Sequence, residues 1–222
     1  MTRFASALLT VLTLGTAPAW ADRGALSVDV GGGATATLLP SPALGVFRTV
    51  QAVTTLTTAA EGYLGLRYAL SNDFEVTLGA FYEPSVTVFH NGVTLEAVQP
   101  PLTQLPGTLR HQIVRYGALA GARRLWGSVW RLFVGGEVGW AHRSYTGFAH
   151  LDDRDPAAAF DYRLDLPSAS IDSFVMSAGG GLEWAFADKM SLAVSPRLQL
   201  FLGRELTLAA ILPVVFSFSW YL

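Results

Sequence analysis

Alternation with a period of two is the feature that most constrains this chain. In residues 61–70, EGYLGLRYAL, the even positions are Leu64, Leu66, Tyr68 and Leu70, and the odd ones are Glu61, Tyr63, Gly65, Arg67 and Ala69. Successive side chains of a β-strand point to opposite faces, so the segment reads as a strand with one greasy and one polar face. Ser71-Asn72-Asp73 is a tight turn, after which residues 74–83 set Phe74, Val76, Leu78, Ala80 and Tyr82 against Glu75, Thr77, Gly79 and Phe81. Together they make a hairpin.

The unit recurs. Residues 112–125 set Val114, Tyr116, Ala118, Ala120 and Ala122 against Arg115, Gly117, Leu119, Gly121 and Arg123, and Trp126-Gly127-Ser128 turns the chain into RLFVGGEVGWAHRSY, 131–145. There Leu132, Val134, Val138 and Trp140 face one way, while Glu137 falls among them with Arg131 and Arg143 at its flanks. Next, Phe174, Met176, Ala178, Leu182, Trp184 and Phe186 oppose Val175, Ser177, Gly179, Gly181 and Glu183, and Ala187-Asp188-Lys189 leads into alternating strands at 190–202 and 206–222. With the first segment, where Leu26, Val28 and Val30 alternate with Ser27, Asp29 and Gly31, the count is eight. An even number of antiparallel strands closes into a barrel with both ends on one side.

Composition decides what surrounds such a barrel. The chain is 51% hydrophobic and only 14% charged, which is oily for a soluble domain. It opens with Arg3, an apolar run from Phe4 to Leu14 and the small-residue pattern Ala19-Trp20-Ala21, the order of a secretory signal peptide over residues 1–21. That run is too short to span a membrane, and no run of 18 apolar residues follows it, which excludes a helical membrane protein. Loss of 1–21 removes Arg3 and no acid from 15 Lys+Arg against 17 Asp+Glu, a net charge of −3. Nothing here suggests the clustered basic surface that nucleic acid requires. An exported chain with no cysteine has no disulfides to stabilise it.

Residues 22–222 therefore read as one domain, all-β, an eight-stranded antiparallel up-and-down transmembrane β-barrel of the bacterial outer membrane. The turns at 71–73, 126–128 and 187–189 are minimal, whereas the links at about 39–58, 89–110 and 146–170 are long and carry prolines, and only the last, around 203–205, is short. Short turns on one side and long loops on the other put the turns in the periplasm and the loops outside the cell. Aromatic residues collect at both ends of the greasy face: Tyr68, Phe74, Trp130, Trp184, Phe186 and Trp220 at the turn end, and Tyr82, Tyr116, Trp140 and Phe174 at the loop end. These are two girdles. Trp130 and Trp140 lie ten residues apart on one strand, which at roughly 3.3 Å per residue and a tilt of about 40° spans about 25 Å. A soluble ligand-binding barrel, greasy face inward, is the alternative. Against it, the charged strand residues share their face with glycines and serines.

On this pattern residues 25–222 resemble the eight-stranded outer-membrane barrels of the outer membrane protein A and X type (OmpA/OmpX). The resemblance implies a structural or interaction role through extracellular loops. The implied partners are outer-membrane lipid and lipopolysaccharide, the barrel-assembly machinery, and an extracellular ligand or protein; no cofactor or metal is implied. Such barrels commonly end on an aromatic residue that the assembly machinery reads, whereas this chain ends FSFSWYL, with Leu222 last.

The inward face carries Asp29, Glu61, Arg67, Glu75, Arg115, Arg123, Arg131, Glu137, Glu183 and Arg197. Charges that leave water must pair, since an unpaired one costs several kcal/mol. Counted from the turns, Arg67, Glu75, Arg123, Arg131 and Glu183 share one layer, with Glu137, Arg115 and Arg197 higher up. They are expected to form an ion-pair network that plugs the lumen, the alternative being a small conducting pore; eight strands leave an interior filled by side chains.

His142 and Ser144 are not required by the architecture. They form an H-x-S pair on the lipid face near the outer leaflet, with Asp152, Asp153 and Asp155 downstream. A serine activated by a histidine that a carboxylate orients is an acyl-transfer arrangement. The pair is similar to the site of outer-membrane lipid A deacylases, which use a His-x-Ser pair and a downstream Glu; here no Glu follows in the loop. The acidic stretch 150–165 lacks the spacing and glycine of a calcium loop, and Gly31-Gly32-Gly33 and Gly179-Gly180-Gly181 sit inside alternating strands rather than in a phosphate loop.

Overall fold

A computed structural model describes residues 23–40, 47–51, 54–97, 104–152, 168–187, 189–203 and 207–221. The expected signal peptide, Asp153, Asp155, Asp188 and Leu222 lie outside the described residues. The strands are β1 (Ala25–Pro40), β2 (Phe47–Gln51), β3 (Thr54–Ser71), β4 (Phe74–Ala97), β5 (Gln104–Gly127), β6 (Trp130–Asp152), β7 (Ala169–Ala187), β8 (Met190–Val194), β9 (Arg197–Leu202) and β10 (Thr207–Tyr221). Each long strand pairs antiparallel with its neighbour in sequence, and β10 returns to β1 over the register Ala25↔Tyr221 to Leu38↔Leu208. The sheet closes on itself, leaving no long edge.

Eight staves form the ring, because β8 and β9 are one stave interrupted at Ser195-Pro196. Both halves lie between β7 and β10. Proline has no N–H to give to a ladder, and the break is bridged by Ser195 N–H to the Pro213 carbonyl at 3.1 Å and Gly180 N–H to the Pro196 carbonyl at 3.2 Å. The short β2 is an addition: it pairs with the far end of β4, Phe47 opposite Ala97.

The long links are shorter than their composition suggests. Residues 89–110 were expected to be largely loop, yet β4 and β5 stay paired out to Glu96↔Gln104, and β6 continues paired with β5 to Asp152. Pro84 falls at a register shift between Glu83 and Val86, a second shift between His90 and Val93 holds Asn91-Gly92, and Pro106 is taken into the ladder opposite Thr94. The result is a wall of three strands, β4 to β6, that rises well beyond the outer girdle.

The two faces differ as the alternation requires. Leu132, Val134, Val138, Leu64, Leu78 and Leu212 are exposed on the outside, where hydrocarbon takes the place of water. Among the described residues three apolar clusters lie inside: Tyr63, Leu125, Phe133, Ala193 and Val215 toward the turns; Phe81, Leu119, Ala141, Val175, Phe201 and Ala209 above; and Leu39, Val88, Val93, Leu109, Ile113 and Tyr145 at the outer end. Glycine makes room for the largest of them: a Cβ on Gly65 or Gly79 would come within 2.6 or 2.5 Å of the Tyr63 hydroxyl.

Candidate functional site: the lumen and the outer rim

Strand parity delivers charges inward, and the antiparallel register brings them to common heights. In the layer nearest the turns, Arg67 Nε donates to Asp29 Oδ1 at 2.8 Å and Arg67 Nη1 to Glu75 Oε2 at 3.1 Å. Arg123 spans two acids, from Nε to Glu75 at 2.6 Å and from Nη2 to Glu183 at 2.7 Å. Glu183 also accepts from Arg131 Nη2 at 2.7 Å and from Ser191 Oγ at 2.6 Å. Asp29, Arg67, Glu75, Arg131 and Glu183 are all buried, so three arginines and three carboxylates neutralise one another without bulk water. Multiple charge-assisted bonds on each carboxylate are what such a layer needs to offset its desolvation.

Above this layer sits a cavity of about 70 Å³ lined by Asp29, Tyr63, Arg123, Glu137, Ser177 and Arg197 among others. Glu137, the carboxylate that interrupts the apolar positions of β6, accepts from Arg197 Nη1 and from Thr77 Oγ1, each at 3.2 Å. The Arg197 guanidinium lies 4.9 Å from the Tyr63 ring centroid. Arg115 sits higher and pairs with Glu83, not with Glu137, its guanidinium 4.5 Å from the Phe201 ring. Glu61 is buried, and neither of its carboxylate oxygens has a hydrogen-bond partner among the described residues.

Four polar groups of the interior were missing from the sequence-level set. Glu83 and Arg143 are at inward positions by simple parity but fall where the strands were expected to end. Arg143 is fully buried and donates to Thr207 Oγ1 at 2.8 Å and Tyr145 Oη at 3.3 Å, with no carboxylate partner among the described residues. His90 and His111 meet Nε2 to Nε2 at 3.0 Å. Parity counted from Phe74 sends His90 outward; the bulge at Pro84-Ser85 reverses the faces, so Val88 and His90 turn in. Proline at position 84 was the available signal for that bulge.

On the outside the aromatic residues form contacting groups at both rims. Trp130 and Trp184 stack at 5.4 Å between centroids, and Trp184, Phe186 and Phe216 continue the row at 5.4 and 6.1 Å. Tyr116 and Trp140 meet edge to face at 5.9 Å at the other end. Tyr68, Phe74, Tyr82 and Phe174 are exposed on the same face; Trp220 pairs by backbone with Leu26, and its side chain lies outside the described set.

His142 and Ser144 stand just beyond Trp140 on the outward side of β6. The carboxylate that meets His142 is Asp172 of β7, directly opposite in register, with His142 Nδ1 2.9 Å from Asp172 Oδ1. Trp140 Nε1 donates to the same oxygen at 3.1 Å. Asp153 and Asp155 lie outside the described residues; the return of β7 beside β6 brings Asp172 opposite His142. No cluster of three or more His, Cys, Asp or Glu among the described residues could hold a metal ion.

No protein-family model and no curated protein matches the chain. Solved structures do. Ail, the attachment invasion locus protein of Yersinia pestis, solved with the heparin analogue sucrose octasulfate, superposes with a TM-score of 0.50 at 12% identity, over 89% of this chain and 99% of that one. Neisserial surface protein A gives a TM-score of 0.51 at 9% identity, over 88% and 99%. Identities this low speak to fold alone, and with a closed ring of eight staves, an apolar outer belt and aromatic rims, this chain has the fold of the eight-stranded β-barrels of the bacterial outer membrane.

Proposed function

We propose that the barrel is closed along its axis and acts at the cell surface, its outer end meeting lipopolysaccharide and an extracellular ligand or protein. The observation that supports this reading is that side chains reach into the interior at successive heights: the six-charge layer, the Arg197–Glu137 pair beside the small cavity, the Arg115–Glu83 pair by Phe201, and the outermost apolar cluster. Narrow eight-stranded barrels have no bore to spare. The tall β4–β6 wall offers Thr87, Phe89, Asn91, Arg110 and Gln112 outward above the rim, a surface that spanning the membrane does not need. The test is conductance of the purified protein in planar bilayers. Silence is the expected result, and a steady wild-type conductance altered by Glu137→Gln overturns the closed lumen.

Asp172 favours a second reading, a lipid-facing acyl-ester hydrolase. Asp172 Oδ1 lies 2.9 Å from His142 Nδ1, the orienting contact that general-base catalysis by this imidazole on a nearby serine such as Ser144 would use. Mass spectrometry of lipid A from cells expressing the protein is expected to reveal a lost acyl chain that Ser144→Ala restores; an unchanged acyl pattern in expressing cells removes this reading.

A further inference from the structure

We propose that the interruption of the stave at Ser195-Pro196 is the mouth of a lateral binding site for a free long-chain carboxylate, a fatty acid drawn from the membrane, with its tail against the outer wall and its head at Arg197. Entry is from the side, so a barrel closed along its axis is compatible with it. The ladder is weakest at this point, because both neighbours skip the same step: β7 pairs Leu182 with Val194 and then Gly179 with Arg197, while β10 pairs Val214 with Val194 and then Ile211 with Arg197. Pro196 and Pro213 have no N–H to add, and Gly179, Gly180 and Gly181 put no side chain over the break.

Space lies on both sides of the break. On the bilayer side the small outward residues Ala34, Ala36, Ala178 and Ala210, beside Leu198 and Leu212, leave an apolar groove of about 620 Å³. On the lumen side is the cavity of about 70 Å³, and Gly179 and Arg197 line both. Charge selects the head group. Arg67, Arg123 and Arg197 line the cavity against Asp29 and Glu137. The Arg197 side chain is only 8% exposed; its Nη1 donates to Glu137 at 3.2 Å, and its Nε has no hydrogen-bond partner among the described residues. A guanidinium grips a carboxylate through two parallel N–H bonds, so an acid head satisfies a buried donor that is costly to leave bare. The hydrocarbon tail remains in the groove on the bilayer side, where it stays out of water.

Full-length protein refolded in lipid vesicles, its fold confirmed by heat-dependent gel migration, is irradiated with a palmitate carrying a diazirine on its tail, and the adducts are mapped by mass spectrometry. Labelling is expected to concentrate on β7, β9 and β10 around Ala178 and Ala210, and to be displaced by palmitate but not by methyl palmitate. It is expected to fall more than about tenfold in Arg197→Met and in Ala210→Phe, but not in Ala118→Phe, an outward position of β5. Label spread evenly around the apolar belt, displacement by methyl palmitate or phosphatidylglycerol as strong as by palmitate, or labelling unchanged in Ala210→Phe overturns the site. Ala210 faces the bilayer, so that variant decides even where Arg197→Met, which leaves Glu137 without its arginine, fails to fold.

Discussion

The two halves of the lumen rely on charge pairing to different degrees in handling buried polarity. Toward the turns, every charge is answered at close range: Arg67, Arg123 and Arg131 against Asp29, Glu75 and Glu183. Toward the outside there is one ion pair among the described residues, Arg115–Glu83, while Arg143 is held by hydroxyls, Glu61 has no hydrogen-bond partner among the described residues, and His90 and His111 sit beside an apolar cluster. The difference teaches that the inner half is stabilised by mutual neutralisation, and is sensitive to loss of any one charge. The outer half answers fewer of its charges at close range and leans more on apolar packing, and is sensitive to gain of charge.

Removing Glu183 breaks the inner half most severely. Glu183→Gln leaves three arginines with two acids, and an uncompensated buried charge of this kind costs about 3–5 kcal/mol; the urea midpoint of refolded protein in lipid vesicles is expected to fall accordingly. If Glu183→Gln shifts the midpoint no more than a surface substitution does, the neutralisation account fails. Arg143→Met acts on the outer half and takes a donor from Thr207, Ser173 and Tyr145 without leaving a charge behind. Its cost is expected to be smaller, about 1–3 kcal/mol.

Acid sharpens the contrast further. The His111 pKa is lowered from 6.5 to about 4 in the folded protein, so the unfolded chain takes up a proton first. The contribution is intact above about pH 6.5, declines as pH falls toward about 4, and is lost in full below that. Amide exchange at Leu109 and Ile113 is expected to quicken across this window, and His111→Gln is expected to flatten the response. The smallest effect belongs to the exposed Arg124–Asp73 pair at 3.3 Å in the turn region, where Ser71 and then Arg124 hold the Asp73 pKa below its ordinary value. Arg124→Gln is expected to leave the urea midpoint unmoved, because exposed pairs contribute little.

Period-two counting puts Glu137, Arg197 and the six charges of the inner layer on one face of their strands, because parity carries along a strand wherever it is regular. It failed for His90, since a single irregularity at Pro84-Ser85 inverts everything beyond it. Pairing was harder to read than facing. That Arg115 meets Glu83, or that Asp172 meets His142, depends on the register of two strands, and the link between β6 and β7 gives no local signal of where the chain returns. Strand ends were the least legible feature: prolines at 100, 101 and 106 suggest a long loop, while the ladder runs on to Gln104.

Each member of the six-charge layer comes from a different strand: Asp29 from β1, Arg67 from β3, Glu75 from β4, Arg123 from β5, Arg131 from β6 and Glu183 from β7. A ladder that slips by two residues keeps its greasy side outward, so the membrane alone detects no mistake. Such a slip carries one charge out of the layer and strands its partner. The layer therefore works as an error check on assembly, in which only the correct alignment of six staves balances the charge.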